Sequence, residues 1–121
     1  TSNINTMTQY AAIPALEGEA DKDIEMMRAE FEKRKDYIVK AINEIDGLSC
    51  YEPDGAFYVF INIKKISNDS MKFCADLLEQ KGVALVPGLA FGMEGYARFS
   101  FATSLEVIKE GVKRIKEFTQ K

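Results

Sequence analysis

The residue with the clearest capacity for chemistry is Arg98, in the run Tyr96-Ala97-Arg98-Phe99-Ser100-Phe101-Ala102. Aromatic residues recur over this short stretch, which is bounded by Gly95 and the hydroxyl pair Thr103-Ser104, so the pattern predicts a strand from Tyr96 to Ala102. Alternate strand side chains point to opposite faces. Ala97, Phe99 and Phe101 therefore share an apolar face, while Tyr96, Arg98, Ser100 and Ala102 share the other. A guanidinium in mid-strand is costly to desolvate unless an anion or several acceptors satisfy it. Its planar fork of donors matches a carboxylate bidentately. Two readings follow: Arg98 grips a ligand carboxylate, or it lies on an edge strand, snorkelling to water or paired with a structural glutamate.

The loop before this strand, Pro87 to Gly95, carries Gly88, Gly92 and Gly95 at spacings that match neither a dinucleotide-binding nor a P-loop fingerprint. They suit a loop that turns sharply and comes close to a ligand. Phe57 and Phe91 read either as apolar cover for such a site or as ordinary core. The lysines of Phe31-Glu32-Lys33-Arg34-Lys35 and Lys113-Arg114-Ile115-Lys116 fall in helical patterns, and Lys64 and Lys65 follow a strand. All read as solvated surface charge. Cys50 and Cys74 are isolated and lack metal-ligand spacing, so no metal site is expected. Cys74 falls on the apolar side of a helical pattern and reads as a buried free thiol, which fits a reducing, cytoplasmic compartment. Histidine is absent from the 121 residues, which removes Ser-His and Cys-His nucleophile pairs within this chain. A net charge of −3 gives no case for nucleic acid or an anionic membrane surface. The longest apolar runs are too short to span a bilayer.

The elements that must position these residues read as an α+β domain: two layers, a mainly antiparallel sheet of three or four strands packed by helices. A short helix is expected from Asn5 to Leu16, with Met7, Tyr10, Ala11 and Leu16 on one side and Pro14 kinking it or ending it early. A connector over Glu17 to Asp21 leads into a long amphipathic helix with Ile24, Met27, Phe31, Arg34, Ile38, Ala41 and Ile45 in its stripe and Gly47 as its stop. Met26 and Met27 read as core filling. A short strand at Leu48 to Tyr51 and the turn Pro53-Asp54-Gly55 precede a strand from Ala56 to Ile63, apolar on both faces and so expected to be covered on both. Asp69 or Ser70 caps a helix that turns Met71, Cys74, Ala75 and Leu78 inward and ends at Gly82. Val83 to Val86 is a third strand. After the Arg98 strand, Thr103-x-x-Glu106 reads as a capping box for a closing helix striped with Leu105, Ile108, Val112, Ile115 and Phe118.

The run Val-Pro-Gly, then Phe-Gly, a further glycine and Arg-Phe-Ser-Phe-Ala-Thr-Ser resembles the C-terminal part of class I/II aminotransferases, the fold-type I pyridoxal-phosphate enzymes, with the aspartate aminotransferase branch the most similar. Pro53-Asp54-Gly55-Ala56-Phe57-Tyr58 resembles a strand opening of the same enzymes, and Thr1-Ser2-Asn3 leading to Gln9-Tyr10-Ala11-Ala12 resembles the segment that follows their cofactor lysine. The resemblance implies that Arg98 holds the α-carboxylate of an amino-acid substrate and that Phe57 lies near it. It implies pyridoxal 5′-phosphate as cofactor, an amino acid and a 2-oxo acid as substrates, a homodimeric parent, and an approach of Thr1, Ser2 and Asn3 to the partner subunit's site. The Schiff-base lysine, the aspartate under the pyridine nitrogen and the phosphate-binding residues belong to a larger N-terminal domain, and no lysine of this chain has the hydroxyl-rich setting expected. The chain, which starts with Thr, is accordingly expected to be a C-terminal fragment. Residues 1–20 would be a helix and connector from the large-domain side and residues 21–121 the small domain, with no catalytic or cofactor-binding residue and no activity in isolation. Carbon–sulfur lyases share this fold and cofactor. Alternatives of other classes are a free-standing amino-acid-binding regulatory domain and an oligomerisation module with its aromatic strand faces as interface.

Overall fold

The computed structural model describes residues 2–120, so Thr1 and the role expected for it lie outside the described residues. The chain divides into two compact units, the first through Glu30 and the second from Phe31.

In the first unit, helix α1 (Thr6–Leu16) starts where Asn5 takes the N-cap position and its side-chain oxygen accepts a hydrogen bond from the Met7 amide at 2.9 Å. Pro14 does not end it. The proline lies in the last turn, and the amides of Glu17 and Glu19 still reach the carbonyls of Ile13 and Pro14, so the helix loses one bond rather than a turn. Within this chain the helix buries none of its residues, and Met7, Tyr10 and Leu16 are exposed. The same holds for the start of helix α2 (Asp21–Asn43), where Ile24, Met26 and Met27 are exposed. The expected core role of the two methionines is not realised within this chain.

In the second unit, the remainder of α2 buries Ile38 and Ile42. The helix stops at Asn43, before Gly47. The Asn43 side-chain amide bonds the backbone of Cys50 in both directions, at 3.0 and 3.1 Å, and ties the helix end to strand β1 (Ser49–Cys50). Ile45 is buried, but in the turn after the helix. Strand β2 (Tyr58–Asn62), helix α3 (Ser70–Lys81), strand β3 (Val86–Pro87), a 3₁₀ turn at Gly88–Phe91, strand β4 (Tyr96–Ser100) and helix α4 (Leu105–Thr119) follow. The sheet order is β1-β2-β4-β3, antiparallel at every pairing. One face is the core, where Val59, Ile61, Ala97 and Phe99 pack with Ile38, Phe73, Leu77, Ile108 and Ile115 from the helices. The other face of β2 carries Tyr58, Phe60 and Asn62, all half-buried, so cover on both faces is not realised within this chain.

Three local expectations shift by a residue or two. The inward face of α3 is Phe73, Cys74 and Leu77, while Met71, Ala75 and Leu78 are exposed. The N-cap of that helix is Asp69, one of the two expected candidates, which accepts from the Lys72 amide at 2.8 Å. The cap of α4 is Ser104, not Thr103, with the Val107 amide as donor at 3.3 Å. The stripe of α4 is as expected, with Ile108, Val112 and Ile115 buried. The strand expected from Val83 contracts to Val86–Pro87, and its proline sits on the sheet edge where a missing amide is tolerated.

Candidate functional site

Arg98 lies on β4, which pairs on both sides: with Phe60 of β2 opposite it on one flank and Val86 of β3 on the other. The edge-strand reading is therefore excluded. Alternation puts Ala97 and Phe99 into the core and leaves Arg98 half-buried on the opposite face, in company with Tyr58 and Phe60. Its guanidinium carbon stands 4.3 Å from the centroid of the Tyr58 ring and 4.4 Å from that of Phe91. Phe91 in turn meets Phe60 edge to face, with centroids 5.6 Å apart. Among the described residues the Arg98 side chain makes no ion pair and no hydrogen bond, so the structural-glutamate reading also lacks a partner.

This environment has a chemical consequence. Each ring contributes about 0.5–2 kcal/mol of cation–π attraction, depending on desolvation. Rings attract the charge but accept none of the in-plane N–H bonds that a guanidinium makes best. A half-buried arginine flanked by rings is a held cation with its fork of donors uncommitted. Such a group fits a carboxylate. The rings beside it, Tyr58 and Phe91, supply no nucleophile, so what the arrangement can do chemically is hold and orient an anion.

Phe57 sits just before β2, with its ring 4.6 Å from that of Tyr58 and 6.0 Å from that of Phe31. The structure thus brings Phe57 to the neighbour of Arg98 rather than to Arg98 itself. Ala56, immediately before it, has φ +59°, left-handed for a residue with a β-carbon, which costs about 1–2 kcal/mol and fixes the direction in which Phe57 and Tyr58 enter the strand. Phe91 is delivered by the loop after β3. A β-carbon on Gly88 would stand 2.1 Å from the Met93 carbonyl oxygen and 2.5 Å from that of Tyr96, so the loop folds back on glycine there. Close backbone approach, not a phosphate cradle, accounts for this glycine.

Tyr58 and Phe60 were not singled out by the sequence. Their shared parity on β2 was readable, but the register that sets Phe60 opposite Arg98 joins segments that no local pattern connects.

A groove of about 610 Å³ lies elsewhere, lined by Phe99, Ser100, Glu106, Glu110 and Arg114 among others, and Arg98 is not among its lining residues. Arg114 there is committed to Glu110 and to the Lys81 carbonyl. Cys50 and Cys74 are free thiols, each pushed up to about 11, in both cases chiefly by burial, with the Glu94 charge adding for Cys74. Neither is poised as a nucleophile. Among the described residues no cluster of His, Cys, Asp or Glu could hold a metal ion, and no helix is long and apolar enough to cross a membrane.

Comparison with known proteins gives this geometry a family. The model of the aminotransferases of class I and II matches residues 1–115. The aspartate aminotransferase of Thermotoga maritima is 47% identical over 118 residues, which are 98% of this chain and 29% of that protein. The crystal structure of the aspartate aminotransferase from Rhizobium meliloti superimposes with a TM-score of 0.87 at 38% identity, covering 97% of this chain and 32% of that one. An aromatic aminotransferase from Pyrococcus horikoshii OT3 gives 0.86 at 41% identity, over 91% of this chain and 30% of its own. The chain thus spans about a third or less of the length of the relatives it matches. On the match over nearly its whole length, the chain belongs to the class I and II aminotransferase family.

Proposed function

We propose that this chain is the C-terminal small domain, with the helix and connector of residues 1–20 leading into it, of a longer aminotransferase. That enzyme would move an amino group between an L-amino acid of the aspartate type and a 2-oxo acid. In this reading Arg98 holds the substrate α-carboxylate. Phe91 and Phe57 give apolar cover at the mouth of the site, and Ser2 and Asn3 approach the partner subunit's site in a homodimer. The observation that carries the reading is the uncommitted fork of Arg98, held between Tyr58 and Phe91 on a half-buried sheet face.

The family works with pyridoxal 5′-phosphate, a cofactor that serves as an electron sink. The residues described here do not fit a site for it on their own. Such a site needs an amine, an acid and a phosphate cradle converging on one cavity. The lysine amines with defined contacts are held by carboxylates or rings: Lys35 by Glu52, Lys72 by Asp76, Lys81 by Glu117, Lys64 over Tyr96 and Lys109 over Tyr37. None of these is directed at Arg98. The cofactor site belongs, in this reading, to the rest of the enzyme, and the chain's own contribution is positional. Fixing the α-carboxylate fixes the orientation of the substrate about its α-carbon. Loss of a bidentate charged contact costs about 2–5 kcal/mol. The shielded free thiols support a reducing, cytoplasmic setting.

The experiment is visible absorbance of the full-length enzyme with and without aspartate, run in parallel with Arg98→Ala. A cofactor band that shifts on adding the amino acid, with an Arg98→Ala variant that keeps the band but needs far more substrate to shift it, supports the assignment. A band that shifts at the same concentration in both proteins overturns the role of Arg98. Absence of any band after supplying pyridoxal phosphate, with an amino acid still bound by calorimetry, favours a carboxylate-binding regulatory domain instead.

A further inference from the structure

Phe91 rides on a loop whose grip on the rest of the domain is not aromatic but ionic. Ser70, the first residue of α3, is fully buried. Its amide donates to Glu94 Oε1 at 2.6 Å, and its hydroxyl donates to Glu94 Oε2 at 3.1 Å. The Gly95 amide donates to the same Oε1 at 3.1 Å. The Ser70 hydroxyl oxygen also accepts from the Leu89 amide at 3.3 Å. One carboxylate and one hydroxyl therefore fasten both ends of the segment Leu89 to Gly95 onto the N-terminus of α3. A negative charge there is favoured by the helix dipole and by the amides left open in the first turn. Between the two fastened ends the segment turns through the 3₁₀ residues and Gly92, at φ +70°, and the Gly92 amide returns to the Leu89 carbonyl at 3.0 Å. Phe91 sits at that turn, 44% exposed and with its ring over Arg98.

We infer that Glu94, through Ser70, is a positioning residue for carboxylate recognition: it sets where the Phe91 ring stands, and the ring sets how the Arg98 fork is presented. The inference rests on the reading of Arg98 as the carboxylate ligand. Glu94 makes no direct contact with Arg98, since its oxygens are taken by the Ser70 amide and hydroxyl and by the Gly95 amide. Its influence on binding runs through the loop. The Ser70 amide, the Gly95 amide and the Ser70 hydroxyl hold its carboxyl below the ordinary carboxylate range, against desolvation and the like charge of Asp69, so it remains the charged anchor near neutrality.

The test is a double-mutant cycle in the full-length enzyme, with Glu94→Ala, Phe91→Ala and both together, read as amino-acid KM, as kcat, and as inhibition by succinate, a carboxylate that cannot react. Glu94→Ala is expected to raise KM and the succinate inhibition constant by about 5- to 20-fold, less than the loss of a direct charge-assisted contact because the effect reaches the substrate only through the loop, with kcat changed less than about 2-fold. In the Phe91→Ala background the same change is expected to add less than about 2-fold, because contacts that act through a shared partner are not additive. Equal effects in both backgrounds, or a Glu94→Ala enzyme with unchanged KM, would overturn the inference. Where Glu94→Ala does not fold, Ser70→Ala removes one donor with little change of shape, and an unchanged KM in that variant overturns the inference equally. Arg98→Ala is measured alongside. If it raises KM while the Glu94 variants do not, the clamp is wrong and the carboxylate site stands. If Arg98→Ala has no effect, the site itself is wrong.

Discussion

Replacing Arg98 by lysine separates a charge from a fork. A lysine at this position keeps a cation within reach of the Tyr58 and Phe91 rings, which now stand 4.3 and 4.4 Å from the guanidinium carbon. The cation–π contribution, about 0.5–2 kcal/mol per ring, is therefore retained in large part. What is lost is the planar pair of donors, so a bidentate carboxylate contact becomes a single one. One charge-assisted hydrogen bond contributes about 1.5–3 kcal/mol, which corresponds to a rise in the amino-acid KM of about 10- to 150-fold. Arg98→Ala should go further, by about 2–5 kcal/mol. Folding stability should behave in the opposite way. The Arg98 side chain has no hydrogen-bond or ion-pair partner among the described residues to lose, and the desolvation cost that alanine removes offsets the ring contacts it forfeits. The melting temperature of both variants, measured by calorimetry without substrate, is expected to stay close to that of the parent. A KM that is unchanged in Arg98→Lys would refute the bidentate geometry. A marked fall in melting temperature with unchanged KM would make Arg98 a structural residue and refute the reasoning altogether.

Gly88→Ala should destabilise the domain by about 3 kcal/mol or more, above the usual range for overpacking, because the new methyl would meet two backbone oxygens at 2.1 and 2.5 Å. Denaturant unfolding tests it, and a change below about 1 kcal/mol would show that the loop gives way more easily than this contact implies. Ser104→Ala should cost about 1 kcal/mol through loss of the α4 cap, and Thr103→Ala distinctly less. The reverse order would place the cap where the sequence pattern put it. Cys50 and Cys74, with pKa values of about 11, should be modified by iodoacetamide far more slowly in the native protein than in urea. Their folded pKa values lie above the ordinary thiol value of 9.0, so the folded state resists the thiolate. Stability is then fully present below about pH 9 and is lost as pH rises from there through about 11. A stability that is flat across that window would contradict the burial of these thiols.

The sequence carried the element types well, because periodicity is a local property. The stripe of α4, the antiparallel α+β class and the alternation across Tyr96 to Ser100 all depend on neighbours within a few residues, and all are present. Where the reading slipped, a contact distant in sequence had decided the outcome. Helix α2 ends at Asn43 because that side chain bonds Cys50, not because Gly47 follows. The start of α3 is capped by Asp69, one of the two residues the pattern offered, but Ser70 is also held by Glu94, 24 residues further on, which no local pattern shows. Met26 and Met27 read as core filling from the helical pattern, yet both are exposed within this chain.

Arg98 is the instructive case, since it was conspicuous as an anomaly while its surroundings were not. Alternation alone put it on a different face from Phe99, but only the pairing of β4 on both sides shows that water along a sheet edge is not its solution. The site is then defined by what each of three segments brings. β2 supplies Tyr58 and Phe60, the loop supplies Phe91, and Gly88 and Glu94 hold that loop at the height from which the ring reaches the guanidinium. None of these five residues is informative alone. Together they hold a cation in place while leaving its hydrogen bonds unspent. A guanidinium is costlier to bury between those rings than an aliphatic side chain of similar size, and that cost is the physical ground for the proposed carboxylate role.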